Sequence, residues 1–218
     1  MTFIASRALA AAAGALLLHF ATLGSALADD DHELRADQRA RIGFEIAKSQ
    51  NIALDPNVPS QGLGSYLVTV SSCNDCHTQP NFTPTGNPYS RQPKQVNLPT
   101  YLAGARSFPT PAGTFCSRNL TPAPQTGLPA GLTRDQFIYV MRTGCDPQDD
   151  DFNDPQQCSL LQVMPWPNFG TTLRRYELSA IYDYLSALPH TEPDATAQCV
   201  PDPLVGLHRD YDSLAGSG

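Results

Sequence analysis

Five consecutive residues, Cys73-Asn74-Asp75-Cys76-His77, combine two thiols and an imidazole at a spacing suited to one kind of chemistry. On one helical turn, thiols three positions apart can add to the two vinyl groups on one edge of a porphyrin, and the next residue places its imidazole beneath the iron. The neutral ring binds metal through one nitrogen while the other donates to an acceptor that fixes it. The pattern predicts one haem c attached through Cys73 and Cys76, with His77 as an axial iron ligand.

Three other uses of these cysteines compete with haem attachment. A redox-active C-x-x-C would need a preceding strand in a βαβ unit, and the sequence pattern does not indicate one. A structural zinc site would need a second ligand pair at short spacing, but the remaining cysteines are widely scattered: Cys116, Cys145, Cys158 and Cys199. A disulfide between Cys73 and Cys76 would leave His77 without a role. Haem attachment accounts for all three residues and is the preferred interpretation.

A second axial ligand has to come from elsewhere, and beyond residue 28 the chain contains only two methionines, Met141 and Met164. Met141 shares a helical face with Phe137 and Val140, so periodicity favours core packing for it. Met164 lies in Val163-Met164-Pro165-Trp166-Pro167, where two prolines are expected to prevent a helix and hold the sulfur on a stiff loop. A thioether opposite histidine raises the reduction potential and closes the iron to substrates. Ligation by His77 and Met164 therefore predicts single-electron transfer, not enzymatic catalysis.

The first 28 residues have the features of a signal peptide. Arg7 is followed by an Ala- and Leu-rich run that ends in Ala26-Leu27-Ala28, an A-x-A cleavage site. Cleavage after Ala28 would leave a periplasmic or secreted protein, and retention as a membrane anchor is the alternative. The whole chain has a net charge of −7. This charge argues against a nucleic acid or an anionic membrane as a partner, and it is compatible with a basic redox partner.

Twenty prolines and fifteen glycines predict short helices joined by long ordered loops. Helices are expected over 36–49, from Gly62 towards Cys73 after a break at Pro59, over 133–144 with Thr133 and Gln136 as a capping box, and over 174–188. Residues 78–117 are expected to form a loop. The predicted fold class is all-α, with an N-terminal extension (29–61), one domain (62–190) and a C-terminal tail (191–218).

Five short motifs strengthen this interpretation. They are Gly64-Ser65-Tyr66-Leu67 ahead of the two cysteines, Asn119-Leu120-Thr121-Pro122, Thr133-x-Asp135-x-Phe137, Met164-Pro165-Trp166-Pro167 and Leu178-x-Ala180-Ile181-Tyr182-x-Tyr184-Leu185. Together they resemble the class I cytochrome c family, particularly the domains that are subunits or partners of bacterial periplasmic dehydrogenases. The resemblance covers about residues 62–190. It implies the class I cytochrome c fold, Met164 as the distal ligand, and an electron carrier or non-catalytic subunit that serves a dehydrogenase or respiratory chain.

The same resemblance implies several contacts. Gly64 and Tyr66 would cross the last helix at its Tyr182/Leu185 face. Asn119 or Arg118 would lie near a haem propionate, and Pro84 or Pro88 would supply the carbonyl that holds the His77 ring. The family opens its last helix with Thr or Ser three residues before Glu. Here Arg174 precedes Glu177, so the helix entry is expected to shift to Thr171 or Thr172.

Residues 145–158 form a longer, acidic connection than the family has at this place. The exported setting favours a disulfide between Cys145 and Cys158. Cys116 and Cys199 would then pair, although four cysteines allow three connectivities. Asp149-x-Asp151-x-Asn153 matches the start of a calcium loop, but the glycine and the final Glu of that loop are missing. The interpretation is a solvated acidic surface close to Met164, suited to orienting a basic redox partner.

A haem enzyme or sensor is the alternative function. In a peroxidase-like or gas-binding protein, Met164 would be absent from the iron or would dissociate to open the sixth position. The identities of the electron donor and acceptor do not follow from these patterns.

Overall fold

The computed structural model describes residues 35–147, 149, 151–196 and 199–200. The expected signal peptide and residues 201–218 lie outside the described residues. The chain divides between Arg39 and Ala40 into two units, and residues 35–39 of the first are helical. Residues 40–61 belong to the same unit as the expected domain, so no division falls at the expected boundary before residue 62. None of the described helices is long and apolar enough to cross a membrane.

The described part of the second unit consists of short helices, long connections and one β-hairpin. Helix α1 covers residues 40–49, followed by α2 (Pro59–Val70), α3 (Cys73–His77), α4 (Arg134–Thr143), α5 (Trp166–Thr172) and α6 (Arg175–Ala187). Two 3-10 turns, Pro88–Ser90 and Leu98–Thr100, lie in the expected loop. The apolar core is built mainly from α2, α4 and α6, with Leu102 from a connection fully buried among them.

The hairpin corrects the expectation that residues 78–117 lack regular structure. Strands β1 (Ser107–Thr110) and β2 (Gly113–Cys116) pair antiparallel, with Ser107 opposite Cys116. Gly113 takes the positive φ of 126° that the tight turn between them requires. The pattern gave no strand signal because Pro109 interrupts β1, and proline is tolerated there since each strand of a two-stranded sheet is an edge strand. The described residues are thus helical with one small sheet.

Prolines start helices in this protein where they were expected to stop them. Helix α2 begins with Pro59, before the expected start at Gly62, and α5 begins directly after Pro165. Proline suits the first turn because its missing N–H would have no helical partner there and its φ is already helical. The expectation of a helix-free loop after Met164 is therefore wrong.

The ends of α4 and α6 show which capping predictions succeed. Helix α4 carries the predicted capping box of Thr133 and Gln136, and Gly144 ends it with a φ of 71°. Helix α6 begins at Arg175 with Arg174 as its N-cap, and the Glu177 carboxylate accepts the Arg174 N–H at 2.9 Å. The expected shift of entry to Thr171 or Thr172 is wrong because those residues end α5.

Helices α2 and α6 cross at Gly64. A Cβ added there would lie 2.0 Å from the Ala180 carbonyl oxygen and 2.6 Å from the Tyr184 Cβ. For Tyr66 and Leu185 the expected contacts stay predictions. The expected contact of Gly64 with Tyr182 is wrong, because Gly64 meets Ala180 and Tyr184, while the Tyr182 ring packs against Phe137 of α4 with centroids 5.7 Å apart. The Tyr182 hydroxyl donates to the Leu132 carbonyl at 3.0 Å. Only glycine lets the two backbones approach this closely.

Replacing Gly64 with alanine is therefore expected to lower the free energy of unfolding by about 3 kcal/mol, because the new methyl must push two helices apart. Gly127→Ala is the control. Gly127 has nothing within 4 Å of an added Cβ, and only its positive φ of 69° opposes a side chain, which costs about 1 kcal/mol. Urea unfolding of both variants measures the difference, and equal losses would contradict the close crossing.

Two buried tyrosines join the α6 face to the connection after α3. The Tyr101 and Tyr184 hydroxyls are 3.0 Å apart in a hydrogen bond. Burial raises the pKa of Tyr184 to about 12 and raises the pKa of Tyr101 well above its ordinary value. In the unfolded chain the two phenols therefore ionise at a lower pH than in the folded chain, at about pH 10.

The free energy of unfolding is accordingly expected to keep the full contribution of these two tyrosines below about pH 10 and to fall as the pH rises above it. The double variant Tyr101→Phe/Tyr184→Phe should lose most of this dependence, because its buried rings cannot ionise. Tyr89→Phe is the control, since Tyr89 is 85% exposed. Urea unfolding between about pH 8 and about pH 11 tests the prediction. An unchanged pH dependence in the double variant would refute it.

Candidate haem-attachment site

The two cysteines and the histidine of the motif lie together on α3, a helix of 5 residues. Ser72, with a φ of 55°, separates α3 from the end of α2. Cys73 and Cys76 are free thiols. Both other cysteine pairs form disulfides, Cys116–Cys199 and Cys145–Cys158, as predicted. The two cysteines of the motif are thus the two left unpaired, three positions apart on one helical turn.

The protonation of these thiols argues against a redox-active pair. Burial raises the pKa of the Cys73 thiol to about 12. Burial also raises the pKa of Cys76, and the positive charge of Arg106 only partly opposes this. A cysteine that attacks disulfides needs a lowered pKa, because the thiolate is the nucleophile. In addition, a helix and not a strand precedes the motif, so the context of a thioredoxin-like site is missing here.

His77 is oriented by a single hydrogen bond. Its Nδ1 lies 2.8 Å from the Arg118 carbonyl oxygen, and a carbonyl can only accept, so Nδ1 carries the proton. Burial lowers the pKa of His77 and favours the neutral ring, although this hydrogen bond partly opposes the shift. The lone pair therefore sits on Nε2, which is the state a metal ligand requires. The expectation that Pro84 or Pro88 supplies the carbonyl is wrong.

The connection after α3 folds back to hold the motif in place. The Gly104 N–H donates to the His77 carbonyl at 2.7 Å. The fully buried Thr78 hydroxyl donates to the Asn74 side-chain oxygen at 2.7 Å and accepts the Leu102 N–H at 2.9 Å. The Arg106 guanidinium donates to the Asp75 carbonyl. Hydrogen bonds from residues 102–118 thereby hold α3 in place, and this limits the freedom of the thiols and the imidazole.

Met164 and Met141 occupy different environments. Met141 is 5% exposed within the apolar core, in agreement with the predicted packing role. Met164 is partly buried and, like Cys73, packs against the margin of that core. Its carbonyl accepts the Trp166 N–H at 2.8 Å, which places it directly before α5. Of the two, Met164 is the methionine not enclosed by core residues.

Helix α5 fixes the Met164 segment by docking on the end of α4. The Trp166 ring covers Gly144 so closely that an added Cβ would lie 2.2 Å from it. The Arg142 guanidinium donates to the Gly170 carbonyl. The Leu161 N–H donates to the Gly144 carbonyl at 2.7 Å. These contacts tie both sides of Met164 to one helix end.

The Cys145–Cys158 disulfide closes the acidic connection just before this segment, with a separation of 13 positions. Replacing both cysteines with serine is expected to lower the free energy of unfolding by about 3 kcal/mol, the chain-entropy value for a loop of this length. Removing the Cys116–Cys199 disulfide, whose cysteines are 83 positions apart, in the same way should lower the free energy of unfolding by about 4.5 kcal/mol. Urea unfolding of the two double variants gives the comparison. A larger loss for the shorter loop would contradict the entropic account.

The carboxylates of the acidic connection are largely engaged with their own loop. Asp149 accepts the Ser159 N–H at 2.6 Å, and Asp154 accepts the Gln156 N–H at 2.9 Å. Asp146 lies 3.6 Å from the Arg118 guanidinium. No group of three or more His, Cys, Asp or Glu that could hold a metal ion occurs among the described residues.

The expected propionate contacts have separate outcomes. Both ends of the Asn119 amide are occupied by protein, because its nitrogen donates to the Thr191 carbonyl at 2.8 Å and its oxygen accepts the Thr121 N–H at 2.9 Å. Asn119 therefore holds the segment after α6 against the connection 119–121. Arg118 is half-buried, and burial lowers its pKa, although Asp146 partly opposes the shift. A propionate contact through this guanidinium stays a prediction.

The donor set fits a covalently attached haem. Two unpaired thiols lie on one turn, the adjacent imidazole carries its proton on the nitrogen that faces a carbonyl, and a thioether lies at the core margin. Sequence reasoning missed the Arg118 carbonyl, and the only hint of it was the resemblance that brought residues 118 and 119 near the haem. The chain matches no protein-family model, and a search of the curated proteins found no similar sequence.

Proposed function

We propose that this protein is a single-electron carrier with one covalently attached haem c. Cys73 and Cys76 would hold the porphyrin, and His77 and Met164 would be the axial ligands. The haem supplies the one-electron chemistry of its iron. The observation that carries the proposal is the oriented His77 ring, whose Nδ1 donates to the Arg118 carbonyl at 2.8 Å beside two unpaired thiols. A general thiol function would not need this imidazole.

The protein's part in electron transfer is to keep the iron environment fixed. Hydrogen bonds from residues 102–106 hold α3, and the docking of α5 on α4 holds the Met164 segment. An environment that changes little between oxidation states keeps the reorganisation during electron transfer small. A thioether in the sixth position also raises the reduction potential and excludes other ligands. These properties favour a carrier over a haem enzyme or gas sensor.

The proposed redox partner presents a basic surface, and a periplasmic dehydrogenase or respiratory protein is the proposed class. The acidic connection 145–158 lies next to the Met164 segment in the chain and carries several carboxylates. Hydrogen bonds from the Gln156 N–H and the Gln157 side chain lower the pKa of Asp154, and the acidic residues of the connection together set up a negative field. Such a field steers a positively charged partner at low ionic strength. The resident compartment is proposed to be the periplasm or the exterior, with residues 1–28 as signal peptide.

Carbon monoxide binding and peroxide turnover distinguish a carrier from an enzyme or sensor. The reduced carrier should show no rapid spectral change under carbon monoxide, because Met164 occupies the sixth position. The oxidised carrier should turn over peroxide no faster than free haem does. Rapid carbon monoxide binding or rapid peroxide consumption by the full chain would favour the alternative function.

A further inference from the structure

A polar cavity lies beside α3, among residues that directly follow the Cys73–His77 motif in the chain. It has a volume of about 500 Å³ and is formed by the loop 79–92 together with Arg106. Small-molecule sites in proteins occupy roughly 300–1,000 Å³. The side chains that matter for recognition are Asn81, Phe82, Asn87, Tyr89, Gln92 and Arg106. The size is therefore suited to a small ligand.

The wall of this cavity is ordered by its own hydrogen bonds. The Thr83 N–H donates to the Gln95 carbonyl at 3.0 Å, and the Gln95 N–H donates to the Gly86 carbonyl at 3.0 Å. Gly86 is buried, and a Cβ there would lie 2.4 Å from the Gln95 Cβ. A wall held in this way is preformed, so a ligand would not have to order it.

The hydrogen-bonding capacity left in the cavity consists largely of donors. Three of the lining amide oxygens already accept a bond: Asn81 from the Arg106 guanidinium at 2.9 Å, Asn87 from the Tyr89 N–H at 3.0 Å, and Gln92 from the Asn87 N–H at 2.9 Å. The side-chain nitrogens of Asn87 and Gln92 have no hydrogen-bond partner among the described residues. These free donors favour a ligand that brings acceptors.

The charge of the cavity is positive and unneutralised. Arg106 uses one guanidinium nitrogen on Asp75 and Asn81, and it forms no salt bridge within the described residues. No Asp or Glu occurs in the sequence between Asp75 and Asp135, although the chain as a whole has a net charge of −7. Arg118 differs, since it pairs with Asp146. A planar guanidinium with free donors matches a carboxylate in geometry and charge.

We propose that this cavity binds a small organic carboxylate. The carboxylate accepts from Arg106 and from the amide nitrogens of Asn87 and Gln92. The apolar body of the ligand lies against Phe82 and Tyr89, whose rings meet edge to face with centroids 6.3 Å apart. These apolar rings favour a carboxylate with a hydrocarbon body over inorganic phosphate. The proposal does not rest on the proposed electron transfer, because no lining side chain is proposed to attach the haem or to bind its iron; Arg106 also donates to the Asp75 carbonyl on α3.

Calorimetric titration of the full chain with benzoate tests the proposal. Saturable binding of one benzoate per chain is expected, and the neutral isostere benzamide should bind at least about tenfold more weakly. Arg106→Gln should weaken benzoate binding by about tenfold or more. Arg91→Gln is the matched control. Arg91 carries the same charge as Arg106 and lies on the loop 79–92 that forms the cavity wall, but it does not line the cavity. It should leave the affinity within about twofold.

Tyr89→Ala keeps the test decisive if Arg106→Gln fails to fold. Tyr89 is 85% exposed at the rim, so its removal should leave the fold intact and still weaken benzoate binding several-fold. Equal affinities for benzoate and benzamide, or equal losses in the Arg91 and Arg106 variants, would overturn the proposal. Tighter binding of inorganic phosphate than of benzoate would overturn the assignment of a carboxylate. Absence of saturable benzoate binding would also overturn it.

Discussion

Replacing both Cys73 and Cys76 with alanine is expected to abolish covalent attachment of haem to the chain. The two thiols are the unpaired cysteines on α3, and no other free cysteine occurs among the described residues. Each thiol would form one thioether, so either single variant should keep the haem through one bond. The measurement is haem absorbance on the polypeptide after denaturation and gel separation, with intact mass as confirmation. The wild-type chain should carry haem and the double variant none.

The matched control for this experiment is Cys145→Ser/Cys158→Ser. It also removes two cysteines and destabilises the fold, but these two cysteines are joined to each other in a disulfide and lie outside α3 in the chain. Because attachment is read on denatured chain, the control should retain haem. Haem that remains covalently bound in the Cys73/Cys76 double variant would show that other residues attach it. A wild-type chain without bound haem would contradict the proposed function itself.

Replacing Met164 with alanine is expected to open the sixth position of the iron. The variant should lose the weak far-red absorption that reports thioether ligation of ferric haem, and it should bind carbon monoxide rapidly when reduced. Its reduction potential should fall by on the order of 0.1 V, a part of the roughly 0.8 V range that axial ligands control. Absorption spectra and redox titration measure these changes.

Met141→Leu is the control for the methionine experiment. Met141 is 5% exposed in the core, and a volume-conserving change there should cost less than about 1.5 kcal/mol and leave the spectrum unchanged. If Met141→Leu removes the far-red band while Met164→Ala keeps it, the assignment of the two methionines is reversed. If neither change affects the spectrum, the sixth ligand is not a methionine.

Local signals in the sequence predicted much of this fold. The spacing of Cys73, Cys76 and His77 predicted that they share a helical turn, and the capping box of Thr133 with Gln136 located α4. Both disulfides were also anticipated. These features succeed because each depends on residue types a few positions apart or on the small number of possible cysteine pairings.

Other features depend on tertiary structure and could not be predicted in the same way. The carbonyl that orients His77 belongs to Arg118, 41 positions away, and a backbone carbonyl carries no residue-type signal. The contact of Gly64 with Ala180 instead of Tyr182 depends on the rotation of α6 about its axis. The prediction for the segment after Pro165 was wrong for another reason, since proline is found both after the ends and at the beginnings of helices.

A spectroelectrochemical titration of the purified full chain tests the haem and its ligation together. We expect one reversible one-electron wave, a low-spin ferric spectrum with the far-red thioether band, and one haem per chain. A chain without haem, or a high-spin ferric spectrum with a freely exchanging sixth ligand, would contradict the proposed function.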